Sequence, residues 1–304
     1  MPMVAGSCRG QACDGAVFRR IWVAYDESDE GLAGFELAVE LARRSGARLT
    51  AVHIVPPAEE DESVELHGAA AVELLGLGAG SRWRARIAAA AACTAPDVAV
   101  EACVVVGHPP VALPELLKWG RPDLVVAGTK GVGGPWRGLL GGVSQRLRHR
   151  SPCPVVLVRP RSSAPRRDVV LVGVDDPERS AVALDLGARL GSTLCARLQL
   201  VHVLAERPAG ACMPADERCL LAWASERLRG RSVAVAAELR AGLPGPALLA
   251  ACAAHRPRVA VVGVRPHAAA RSLIGRSVTD RLVNDAACAV AVARGGPRGG
   301  RRRR

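Results

Sequence analysis

The sequence predicts an α/β protein built as two tandem copies of one unit. Two observations carry this expectation. Short apolar runs alternate with stretches of helical spacing, the order that lays parallel strands beside the helices that cover them. The second half also repeats landmarks of the first at constant separations. With 304 residues the chain has room for two ordinary domains. Apolar residues make up 49% and aromatic residues only 3%, so Ala, Val and Leu must fill the cores.

The elements follow in order. Residues 1–18 read as an unstructured leader, polar and small, without the hydrophobic segment of a signal peptide. Residues 21–25 form an apolar run ended by Asp26. Residues 30–45 have helical spacing through Leu32, Phe35, Leu37, Ala38 and Leu41, and Gly46 closes them. A second strand spans 49–55 and stops at Pro56 and Pro57, before the acidic stretch 59–62. Residues 65–93 are Ala- and Leu-rich and mostly helical, with Gly76, Gly78 and Gly80 as breaks. Strand 98–106, helix 109–119 with proline in its first turn, strand 124–127, helix 139–149 and strand 154–158 complete the unit.

The duplication is read from fixed offsets. Residues 170–174 followed by Asp175 match 21–25 followed by Asp26, and 198–202 match 49–53, both 149 residues later. Gly242 and Pro244 match Gly107 and Pro109, Arg256 matches Arg121, Gly263 matches Gly128 and Cys288 matches Cys153, all 135 residues later. The second copy is therefore 14 residues shorter between its second strand and its third helix. The expected domains are 19–160 and 168–294, joined by a Pro-, Ser- and Arg-rich linker at 161–167 and followed by a basic tail at 295–304.

The stretch with the clearest chemistry is 124–144. An apolar strand runs into a glycine-rich loop and then a helix, the grammar of a phosphate cradle. Free N–H groups at the helix start favour an anion, Lys130 and Arg137 add full charges, and Ser144 adds a hydroxyl. A P-loop is excluded because no Gly-Lys-Ser/Thr ends the loop. The dinucleotide fingerprint beginning at Gly131 is excluded because Trp136 stands where its last glycine belongs. Trp136 itself is assigned to packing. The spacing that fits is G-x2-G-x9-G, formed by Gly128, Gly131 and Gly141.

That spacing resembles the ATP-binding motif of the universal stress protein family. The resemblance extends over residues 19–294 through Asp26 ending strand one, His53 followed by Ile54 in strand two, the glycine loop, and the closing strand that begins Pro152-Cys153-Pro154. It implies, for each copy, a Rossmann-like, doubly wound, five-stranded parallel sheet with helices on both faces. It also implies a site. Ala24 and Ile54 would line an adenine pocket, and Asp26 would accept a hydrogen bond from ribose or adenine. Ala127, Gly128, Lys130 and Gly131 would follow the ribose and phosphates. Gly141, Gly142, Val143 and Ser144 would hold the terminal phosphates. The chain departs from the family at Gly142, where a hydroxyl residue is usual. Asp26 also has a plainer reading as a helix cap, which Ser28 or Asp29 would serve equally well.

The trailing copy has lost the loop. Pro266 stands in place of Gly131 and Arg276 in place of Gly141, although Ser277 and Thr279 remain. Nucleotide is therefore expected in the leading copy alone, and a helix cap is a sufficient role for Asp175. His53 and His202, at matching strand positions, read as satisfied core residues.

The resemblance implies an ATP- or adenine-nucleotide-binding regulatory protein, with Mg2+ arriving on the nucleotide, rather than an enzyme. No residue is placed as a general base or water-orienting group, and the signatures of nucleotidyl transferases are absent. The alternative is a nucleotide-free stress-response interaction module. Closing strands 154–158 and 288–292 pair across the dimer in the family, so the two halves should pair within the chain; a homodimer and an unknown protein partner stay open. A cytoplasmic location is expected, since no apolar run is long enough to span a bilayer. The ten cysteines contain no C-x2-C pair and read as free core thiols, with Cys8 and Cys13 the most reactive. The net charge of +12 includes Arg294, Arg298 and Arg301–Arg304, read as a solvated tail; with no aromatic among them, nucleic-acid or membrane contact is not expected.

Overall fold

The computed structural model describes residues 18–56, 79–129, 142–160, 166–204, 217–264 and 277–294. In the leading half the elements run β1 (Arg20–Ala24), α1 (Asp29–Ser45), β2 (Arg48–Val55), α2 (Ala79–Thr94), β3 (Val100–Val106), α3 (Pro109–Gly120), β4 (Leu124–Gly128), α4 (Gly142–Arg150) and β5 (Val155–Val158). The trailing half gives β6 (Val169–Val174), α5 (Pro177–Leu194), β7 (Arg197–Leu204), α6 (Glu217–Arg227), β8 (Val235–Ala241), α7 (Pro244–His255), β9 (Val259–Gly263), α8 (Val278–Asp285) and β10 (Ala289–Ala293). The strands are short and rich in Val and Ala, and those in the middle of the sheet are buried on both faces, as helix-covered parallel sheets require.

All strands join one sheet in the order β3-β2-β1-β4-β5-β10-β9-β6-β7-β8. Among the described residues every pairing within each half is parallel, and the single antiparallel pairing is β5 with β10. At its centre Val156 lies opposite Ala291, the same position in the two repeats, so a local pseudo-two-fold axis passes between them. The flanking contacts obey that symmetry. Arg159 donates to the Val283 carbonyl at 3.1 Å, and its counterpart Arg294 donates to the carbonyl of Arg148, the counterpart of Val283.

The cores lie by face of the sheet, not by half. On one face Phe35 and Leu41 of α1, Ile87 of α2, Leu184 and Leu190 of α5 and Leu220 of α6 pack with Val23, Val126, Val156 and Ala291. On the other, Leu113 and Leu117 of α3, Leu147 of α4, Leu248 of α7 and Leu282 of α8 pack with Val125, Leu157 and Val290. Strand side chains alternate between the two, so each half shares both cores with its neighbour.

Even strained positions recur. α3 and α7 both end on an arginine in the left-handed region, Arg121 (φ 45°) and Arg256 (φ 46°), each donating its N–H back into the last turn. Arginine thus takes a left-handed cap twice here, a conformation with a steric cost for any residue that carries a Cβ.

Several sequence expectations need correction. Phe18, assigned to the leader, is buried in the core. Its ring lies 4.1 Å from the Arg189 guanidinium of the trailing half. Arg294, assigned to the solvated tail, is half-buried and bonds to main-chain carbonyls of the leading half. Among the described cysteines all are free, but only Cys153, Cys252 and Cys288 are buried; Cys93, Cys195 and Cys219 are exposed. The rest of the leader, residues 1–17, the tail at 295–304, linker residues 161–165, and Cys8, Cys13 and Cys212 lie outside the described residues. Among those described, no helix is long and apolar enough to cross a membrane.

Candidate functional site

In the leading half the strand order reverses between β1 and β4, which are hydrogen-bonded neighbours with Val23 beside Val126. Their carboxyl ends open the crevice in which doubly wound folds hold ligands. The strand pairing carries Ala24 and Asp26 to this edge from β1, Ile54 from β2, and Ala127 and Gly128 from β4. Ala127 and Ile54 are buried, while Ala24 and Gly128 are half-buried.

Asp26 sits in the turn between β1 and α1. It is not the helix cap. Ser28 is: its hydroxyl oxygen accepts from the Gly31 N–H at 2.9 Å, while the hydroxyl and N–H of Ser28 both donate to Asp26 Oδ1. Asp26 therefore clamps the cap and is itself held in place. Gly31 makes this arrangement fit, since a Cβ there would come within 2.2 Å of Asp26 Oδ1. Sequence reasoning named the helix but missed Gly31; the spacing Asp26, Ser28, Gly31 was its only signal.

Behind the turn lies a second layer. His53 is buried, and its Nδ1–H donates to the Tyr25 carbonyl at 2.7 Å. Its ring stacks on Trp83 with centroids 3.5 Å apart, Arg86 lies over Trp83 at 4.9 Å, and Arg86 meets Glu27 at 2.9 Å. Burial pushes the His53 imidazole below its ordinary value against the pull of the Tyr25 carbonyl, favouring the neutral ring. Burial likewise raises the Tyr25 phenol. His202 repeats the bond, with Nδ1 2.9 Å from the Val174 carbonyl. Both histidines are core residues, as their strand positions predicted.

At the other wall, Thr129 follows β4 and its N–H donates to the Val158 carbonyl at 2.9 Å. Ser144, expected to face phosphate, is 1% exposed and donates its hydroxyl to the Thr129 carbonyl at 3.0 Å. It ties the first turn of α4 to the end of β4. Gly142 is exposed at the start of that helix, and Val143 is half-buried against the core. A Cβ at Gly142 would come 3.2 Å from the Pro110 ring. Lys130, Gly131 and Gly141 lie outside the described residues, as do Trp136 and Arg137.

The trailing half differs at each step. The position equivalent to Gly31 is Ser180, whose hydroxyl accepts from the N–H groups of Asp175 and Asp176 at 2.9 and 3.3 Å. The cap foreseen for Asp175 falls instead to Asp176, which accepts from the Glu178 N–H at 3.0 Å. Ser277, equivalent to Gly142, caps α8 by accepting from the Asp280 N–H. Pro266 and Arg276 lie outside the described residues. Among the described residues no three metal-ligating side chains converge.

A doubly wound parallel sheet whose strand order reverses between β1 and β4 defines a Rossmann-like α/β protein. The Universal stress protein family model matches residues 18–159 and again 166–294, so the chain belongs to that family, twice over. A universal stress protein of Thermus aquaticus is 32% identical over 144 residues, covering 47% of this chain and all of that one. One of Staphylococcus saprophyticus is 28% identical over 143 residues, 47% of this chain and 84% of its own length. Among solved structures, a universal stress protein of Archaeoglobus fulgidus superposes over 90% of this chain and 97% of its own with a TM-score of 0.60 at 17% identity, a likeness of fold.

Proposed function

We propose that the leading half binds an adenine nucleotide, ATP with its Mg2+, and that occupancy regulates conformation or partner binding. The carrying observation is that Asp26 and Gly128 stand at the carboxyl ends of adjacent strands at the topological switch point. In this reading Ala24 and Ile54 line the base and Asp26 accepts from a ribose hydroxyl. Ala127, Gly128, Lys130 and Gly131 follow the ribose and phosphates. Gly141, Gly142 and Val143 offer main-chain N–H groups to the terminal phosphates at the start of α4, with the Ser144 hydroxyl behind them. The bound Mg2+ would screen the phosphates, held mainly by their oxygens and water. The small residues at the strand ends, Ala24, Ala127 and Gly128, suit such a ligand. The trailing half then acts as a built-in partner, its strand β10 taking the place of a second subunit.

Titration calorimetry with ATP and Mg2+ tests this. One nucleotide should bind per chain, Gly131→Val should abolish the heat, and Pro266→Val should leave it unchanged. Two sites per chain would refute confinement to the leading half.

One observation favours the other reading, a nucleotide-free interaction module. The hydroxyl of Ser144 is buried and already bonded to Thr129, and Gly142 supplies none. A folded chain that gives no heat with ATP would establish it.

A further inference from the structure

We propose that the seam between the halves is charge-matched for unlike pairing, so that a leading half accepts a trailing half and rejects a second leading half. Among the described residues, charged side chains face one another across the seam at three places, and the repeat lets each be asked what a like pair would place there. Glu40 of α1 forms an ion pair with Arg258, just before β9. The counterpart of Glu40 is Arg189 in α5, and the counterpart of Arg258 is Asp123, just before β4. The symmetry-related place therefore sets Arg189 near Asp123, with the charges exchanged, and the Asp123 carboxylate acts electrostatically on Arg189. Arg189 reaches across the seam to lie over Phe18, and Asp123 accepts the N–H groups of Arg19 and Arg20 beside it. Burial pushes the Arg189 guanidinium down, and the Asp123 carboxylate is the largest charge acting against that.

Two leading halves would set Glu40 against Asp123 twice, and two trailing halves would set Arg189 against Arg258 twice. Only the unlike pair brings opposite charges together at both places.

The third contact points the same way. Arg148, 4% exposed, pairs with Asp280 of α8. By the repeat, position 148 corresponds to Val283 and position 280 to Gln145. Two leading halves would bury two arginines facing glutamine, and two trailing halves would leave Asp280 facing valine. A buried charge stripped of its partner is strongly disfavoured. The pseudo-two-fold backbone of the seam is thus symmetric, while its charges are antisymmetric.

The test begins from folded full-length protein carrying a protease site within 161–165, cleaved without separating the pieces and incubated at moderate urea. Native mass spectrometry then counts leading:trailing, leading:leading and trailing:trailing pairs, and scrambling of isotopically light and heavy preparations shows that exchange has occurred. The unlike pair should exceed each like pair by at least about tenfold. Glu40→Arg with Arg258→Glu keeps both unlike contacts complementary but makes both like contacts complementary too, so like pairs should rise severalfold. Adding Arg148→Gln and Asp280→Gln should bring the populations to the statistical mixture. Exchanging wild-type pieces that already give the statistical mixture would overturn the proposal. So would exclusive unlike pairing that survives in both variants.

Discussion

The turn that ends β1 and the turn that ends β6 began as the same turn and now do different work. In the leading half, position 31 is glycine, and the Asp26 carboxylate occupies the space where a side chain would stand. In the trailing half that position is Ser180, whose hydroxyl satisfies the N–H groups of Asp175 and Asp176 instead. One turn presents an anchored carboxylate at the crevice mouth, and the other closes its own hydrogen bonds. A missing Cβ is what leaves room for the Asp26 carboxylate in the first turn, the group that the proposed function sets against a ligand.

Four experiments would break or sharpen that contrast. The largest effect should come from Gly31→Val. The new side chain collides with Asp26, so stability should fall by about 1–3 kcal/mol in urea unfolding, and the heat of ATP binding should vanish in calorimetry. Unchanged binding would mean that the placement of Asp26 is irrelevant to the ligand. Ser180→Ala leaves two N–H groups without their acceptor. It should cost about 1–2 kcal/mol and leave ATP binding as it was.

Ser28→Ala and Ser277→Ala each remove a helix cap, worth about 1 kcal/mol. Only the first should also weaken nucleotide binding, because the Ser28 hydroxyl and N–H both donate to Asp26; equal effects on binding would erase the distinction between the halves. The smallest effect is one of pH. Burial lowers the His53 imidazole, so the folded leading half takes up a proton less readily than the unfolded chain, whose histidine titrates near 6.5. Its contribution is fully present above that pH and is lost as pH falls below it. Urea midpoints at pH 7 and pH 5 should therefore differ less in His53→Gln than in wild type.

Much of this was legible beforehand. The period of the apolar residues located the strands, and constant offsets exposed the duplication, because both are local or additive signals. Neighbouring Asp26 and Gly128 could be expected once the strand order of the family was supposed. The bond from the Ser144 hydroxyl to the Thr129 carbonyl was not legible in the sequence, since a hydroxyl looks the same whether it faces a phosphate or a carbonyl. Phe18 and Arg294 were misassigned for a related reason. Each flanks a polar terminal segment, and each contacts the opposite half, Phe18 through Arg189 and the half-buried Arg294 through main-chain carbonyls.

By itself, the sequence determined the alternation of strands and helices, the two repeats and the family to which they belong. Those follow from side-chain periodicity and landmark spacing, which the chain carries along its length. The tertiary structure decided where carboxylates point and which charges face each other. Glu40 and Arg258 meet, as do Arg148 and Asp280, only because β5 lies against β10 and closes ten strands into one sheet. Residues so far apart in the chain acquire partners through that closure, and no local pattern encodes the choice.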